Sequence, residues 1–230
     1  MGKGGRIAAV IGLGLLGACT RLVDDPLAVH SVYGGLTPNP VYRGELPRVL
    51  YSDAQTPDKQ GLLYTSMFES EVASQYAGLA ASAEVPSDVS SGLGEVLYAI
   101  DPDAAPSWGP KSTGIVSGWA GAGYGARRAT GEMADAIRGA LASDGSAALK
   151  QYGPEAATCA DNTLRRVDQV ATLSQQALAG PPDQAALEQI DEVARELLRG
   201  SDSGADAATC GLEQARRDLE PLARPTGQGG

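Results

Sequence analysis

From Gly61 onward the apolar residues recur at helical intervals and no stretch alternates for long like a strand, which limits the fold more than any other feature. Leu63, Met67, Val72, Tyr76 and Leu79 mark a helix from Gly61 to about Ser82. Val89, Leu93, Val96, Leu97 and Ile100 mark a second, punctuated by Pro86 and Asp101-Pro102. Ala104 to Gly118 reads as a loop with Trp108 and Trp119 near its ends. A third helix spans Gly123 to Ala142 and turns Ala126, Ala129, Met133, Ile137 and Leu141 inward. A fourth begins at Pro154, a favourable first-turn residue, and runs to Gly180, where Pro181-Pro182 forces a turn. A fifth covers Asp183 to Arg199 and stops at Gly200, and a short sixth carries Leu212, Ala215, Leu219 and Leu222. Aromatic residues make up only 5% of the chain, so the core is built from alanine and aliphatic side chains in closely spaced helices. The expected fold is an all-α antiparallel bundle of about five to six helices over residues 61–224, followed by a flexible tail at 225–230.

The N-terminus has a different pattern. Lys3 and Arg6 precede an uncharged apolar run, Ile7 to Gly17, and then Ala18 and Cys19, which is the layout of an export signal. At about 1.5 Å per residue the run is far shorter than the roughly 30 Å hydrocarbon core, so it does not read as a transmembrane anchor. The residues Leu16-Gly17-Ala18-Cys19 resemble the lipobox of bacterial lipoproteins. The resemblance covers the signal alone. It implies that residues 1–18 are cleaved, that Cys19 becomes the acylated first residue, and that Thr20, in place of an aspartate, directs the protein to the outer membrane. Several acyl chains make such anchoring stable.

The same run also fits a strand followed by Gly12-Leu13-Gly14-Leu15-Leu16-Gly17, the glycine spacing of a dinucleotide site. That chemistry needs a helix of several turns whose N-terminus holds pyrophosphate, then a second strand ending in an acid. Pro26 interrupts the helix, Asp24 and Asp25 arrive too early, and no later βαβ pattern completes a sheet. The export reading fits its context better.

Between the signal and the bundle, residues 19–60 hold Pro26, Pro38, Pro40, Pro47 and Pro57 with Tyr33, Tyr42 and Tyr51. This segment reads as an extended tether, with packing on the protein's own body and docking on a partner as the alternatives. Once Cys19 carries lipid, Cys159 and Cys210 remain as a pair in an oxidising compartment. The fourth helix runs about 30 Å from Cys159 to the turn at Gly180, and the fifth returns by a similar length. The hairpin therefore brings Cys210 back beside Cys159 as a structural disulfide.

Few residues suggest chemistry. His30 is the single histidine and lies in the tether, so triads and multi-histidine metal sites lack their imidazole. Asp202, Asp206 and Glu213 occupy positions one, five and twelve of an EF-hand-like loop, but Gly204 offers no ligand oxygen and Ala207 replaces the turn glycine. The loop reads first as an interhelical connection with a capping acid, and second as a weak calcium site. Arg127-Arg128 and Arg165-Arg166 read as a salt-bridged face, with Arg128 reaching Glu132. Trp108 and Trp119 read as sealing a core end, with ligand contact as the alternative. The runs Val96-Leu97-Tyr98-Ala99-Ile100-Asp101-Pro102 and Gly123-Tyr124-Gly125 resemble periplasmic helical proteins that carry inner histidines, but Tyr98 stands at one such position and no site carries over.

The net charge of -10 argues against nucleic acid as a partner, and removing Lys3 and Arg6 with the signal makes the mature chain more acidic still. The expected protein is a periplasm-facing, outer-membrane lipoprotein. It binds or scaffolds another envelope protein without catalysis, and needs no cofactor beyond the lipid on Cys19. The alternative is a periplasmic carrier of a ligand or metal, calcium at Asp202, Asp206 and Glu213 being the candidate.

Overall fold

A computed structural model describes residues 44–108, 123–143, 146–201 and 209–223. Within them the helical periodicity becomes seven α-helices: α1 (Leu46–Leu50), α2 (Leu62–Ser82), α3 (Pro86–Ile100), α4 (Ala126–Ser143), α5 (Ala147–Leu178), α6 (Gln184–Arg199) and α7 (Leu212–Ala223). The described residues contain no strand, only an isolated bridge between Gly200 and Cys210. The chain is therefore an all-α bundle.

Local chemistry sets the ends of these helices. The Asp183 carboxylate accepts the Ala186 amide at 2.7 Å and starts α6, while Gly200, with φ +80°, ends it. The Ser146 hydroxyl accepts the Leu149 amide at 3.2 Å and starts α5. That start corrects the expected boundary at Pro154, which lies inside the helix. The cap at Ser146 and the complete burial of Leu149 hold the extra turns, and exposed Pro154 forfeits one backbone donor within them.

The tether expected over 19–60 also needs correction where it is described. Residues 44–60 fold onto the body: Leu46, Val49 and Leu50 of α1 are buried, packing against α2 and α4, and Pro57–Lys59 forms a 3₁₀ turn. The Asp53 amide donates to the Gln60 carbonyl at 3.1 Å, and the Thr56 hydroxyl to the Asp53 carbonyl at 3.0 Å. Proline here shapes turns within a folded segment. Residues 19–43 lie outside the described residues, as do the signal, Cys19 and His30.

Helices α2 and α5 form the centre. Around α2 pack α3, α4 and α6, and around α5 pack α3, α4, α6 and α7. Val72, Tyr76, Leu93, Ile100, Val167, Ile190 and Leu197 belong to one shared core. A second group at the other end of the bundle, including Leu62, Met67, Met133, Leu149, Leu212 and Leu219, is equally buried. Many contacts are made by alanine, which lets neighbouring helices approach closely.

Candidate functional site

The junction between α6 and α7 gathers several chemically distinct restraints. Cys159 on α5 and Cys210 form a disulfide with a Cα–Cα distance of 5.1 Å, both cysteines being buried. The sequence expectation for this pair is met. Beside it, the Ser201 amide donates to the Thr209 carbonyl at 2.9 Å, which ties the end of α6 to the residues just before α7. Gly200 is needed there because a Cβ would stand 2.2 Å from the Thr209 carbonyl oxygen, in a left-handed backbone conformation.

Arg166 completes the clamp. Its Nη1 donates to the Cys210 carbonyl at 2.9 Å and its Nη2 to the Thr209 carbonyl at 2.8 Å, while Nε reaches Glu196 at 3.2 Å. The expected basic surface pair is thus divided: Arg165 stays exposed and bonds Asn162, whereas Arg166 is buried. A planar guanidinium spreads its donors in fixed directions over separate nitrogens, so it reaches two backbone carbonyls and a carboxylate with a preorganised geometry that a single ammonium nitrogen does not reproduce. Of the calcium frame, Asp202 and Asp206 lie outside the described residues. Glu213 stands in the first turn of α7, where its charge complements the helix N-terminus.

A second polar cluster joins α2 to the start of α4. Glu69 is fully buried on α2, and its Oε1 accepts the Tyr124 and Gly125 amides at 3.1 and 3.3 Å. The carboxylate therefore caps the start of α4 from a different helix. One turn earlier, Ser66 and Thr130 share a buried hydroxyl hydrogen bond at 2.5 Å. The Tyr98 hydroxyl lies 3.0 Å from where a Cβ would stand on Gly123, so the two runs resembling histidine-bearing proteins do meet, with a phenol at that position.

Outward from this cap, the Tyr124 hydroxyl donates to Glu132 at 2.7 Å, and Arg128 stacks over the Tyr124 ring while pairing with Glu132 at 2.9 Å. Burial, then the bond to Glu132, pushes the Tyr124 phenol up to about 12. Arg48 bonds Glu45 and Asp53, each at 2.6 Å, and these bonds raise its affinity for its proton. Its Nη2 approaches Glu132 at 3.9 Å, linking α1 to α4. The Arg128–Glu132 pair is the one expected from spacing. Arg127 instead pairs across helices, with Asp101 and with Asp168 at 2.9 Å.

Trp108 lies against α3, where a Cβ on Gly94 would fall 2.1 Å from the indole. It is partly buried and packs against the core, though alongside α3 and not over a core end as the sequence suggests; Trp119 lies outside the described residues. No group of three or more histidine, cysteine or acidic residues is placed to hold a metal among the described residues, and no helix there is long and apolar enough to cross a membrane. The sequence reading overlooked Glu69 and placed Arg166 on a salt-bridged face; Arg166 does pair with Glu196, but it is buried and also binds two backbone carbonyls. The available signal was a charged residue on the buried face of a helix, between Ser66 and Ser70 in one case and Thr163 and Val167 in the other. Each of these groups joins separate elements through backbone amides or carbonyls. No protein-family model, curated protein or solved structure matches the chain.

Proposed function

We propose that the protein is a lipid-anchored component of a bacterial envelope, exported by residues 1–18, acylated at Cys19, and held at the outer membrane facing the periplasm. There it binds or scaffolds another envelope protein without catalysis and without a cofactor other than its lipid. The observation that carries this reading is the sequence Leu16-Gly17-Ala18-Cys19 after a basic and apolar leader. The buried Cys159–Cys210 disulfide supports an oxidising compartment. The engagement of Glu69 and Arg166 with backbone groups, and of Arg48 and Arg128 with Glu132, supports a structural body.

Mass spectrometry of the protein gently extracted from its own membranes tests the proposal. The expected species begins at an acylated Cys19, shows the two-dalton loss of one disulfide, and carries a second polypeptide under native conditions. A chain that retains Met1, or begins at an unmodified residue, refutes the anchor. An acylated chain that carries a small ligand or calcium in place of a protein refutes the scaffold role.

A further inference from the structure

The described chain enters and leaves the bundle at one end. The Tyr51 hydroxyl, just after α1, donates to the Ala223 carbonyl at the end of α7 at 3.4 Å. The Glu45 side chain comes within 3.5 Å of where a Cβ would stand on Gly139, near the end of α4. The opposite end is formed by two hairpin turns, α2 to α3 and α5 to α6, and the Gln184 side chain ties them by donating to the Ala81 carbonyl at 3.0 Å.

This second end has an unusual surface. The two exposed large hydrophobic residues of the described body, Leu79 at 38% and Val85 at 51%, both belong to it. Glu84, Asp88, Asp183 and Glu188 are exposed on the same two turns and the helix starts that follow them. The chain has no lysine, arginine or histidine between residues 60 and 110, or between 167 and 194, so no basic residue lies on the two turns or on the helix starts that follow them. Pro86, Pro181 and Pro182 restrict the turns, and the Asp183 cap fixes the start of α6, which lowers the ordering cost of binding there.

We propose that this end is a docking surface for a cationic protein segment, one that presents lysine or arginine around an apolar side chain. The inference rests on the scaffold reading and deepens it by naming the partner's chemistry. An anionic lipid surface would be repelled by the acids, and so would the same end of a second copy. The small apolar area sets a weak association, and the exposed charges make it salt-sensitive.

The test uses the full chain carrying Cys19→Ser, which cannot be acylated, titrated with a synthetic peptide of alternating lysine and leucine and followed by amide chemical shifts. Shifts are expected at residues 79–88 and 180–188. The exposed double substitution Leu79→Ser and Val85→Ser keeps the charge and should weaken binding at least tenfold, as should a peptide with serine in place of leucine. Equal binding by the double variant refutes the surface, since attraction by charge alone would then suffice. Shifts centred on other residues, stronger binding to anionic vesicles than to the peptide, or self-association through these turns each refute it too. Because this variant has no lipid, the outcome is independent of the anchor, which the mass of the membrane-extracted protein tests separately.

Discussion

Replacing both Cys159 and Cys210 with alanine should lower the stability of the bundle by about 4 kcal/mol. The magnitude comes from the chain that the bond closes. The cysteines are separated by 51 positions, and for a loop of that size the chain-entropy relation removes about 14 cal/mol/K from the unfolded ensemble, or about 4 kcal/mol at 25 °C. The folded state changes little in comparison. The Gly200–Cys210 bridge and the Arg166 bonds to the Thr209 and Cys210 carbonyls hold the same junction independently of the sulfur atoms. Urea unfolding of the oxidised protein, the reduced protein and the double-alanine variant measures the effect. The reduced and double-alanine forms should lose similar amounts, with the alanine form losing slightly more because Cys159 is completely buried. A loss below about 1 kcal/mol in both would refute the reasoning, because the unfolded chain would then already hold these positions together.

Glu69→Ala leaves the Tyr124 and Gly125 amides without their carboxylate acceptor in a buried site, and at about 1–3 kcal/mol for each orphaned group the loss in urea unfolding should reach roughly 2–6 kcal/mol. Glu69→Gln keeps one acceptor oxygen and should recover at least half of that loss; equal loss in both variants would contradict the capping role. Gly94→Ala places a methyl group 2.1 Å from the Trp108 indole, so the ring must move. In a Trp119→Phe background its fluorescence should shift to the red, with a net loss of roughly 0–2 kcal/mol after about 1 kcal/mol of regained helix propensity is set against overpacking of about 1–3 kcal/mol. An unshifted spectrum would show that the indole does not lie on α3. Because Tyr124 titrates near 12 in the folded protein instead of near 10, its contribution is intact below pH 10 and is lost as pH rises through 12. Comparing urea midpoints of the parent and Tyr124→Phe across that range checks the sign, and parallel pH profiles would remove the assignment.

The sequence and the structure agree most closely where local chemistry acts alone. Gly61 to Ser82 is legible as a helix from the helical recurrence of its apolar residues, and α2 runs from Leu62 to Ser82, but neighbours bury it on several sides and one residue of that recurrence, Leu79, is exposed. Asp183 and Gly200 bound α6 for equally local reasons. Pro154 misled because the proline rule outweighed the weaker cap signal of Ser146, and only the buried Leu149 makes the earlier turns worthwhile. The segment from Glu45 to Gln60 resembles a tether by composition, since a short helix with three buried apolar residues has too few turns to show a period.

By itself, the sequence determined the helical class, the helix ends set by local caps, and the pairing of Cys159 with Cys210, because spacing along a hairpin converts directly into distance. Only the tertiary structure decided that Glu69 caps α4, that Arg166 holds the α7 junction, and that Leu79 and Val85 share an end with four acids. Those relations join residues from separate helices, and nothing in local propensity encodes which helix face meets which neighbour.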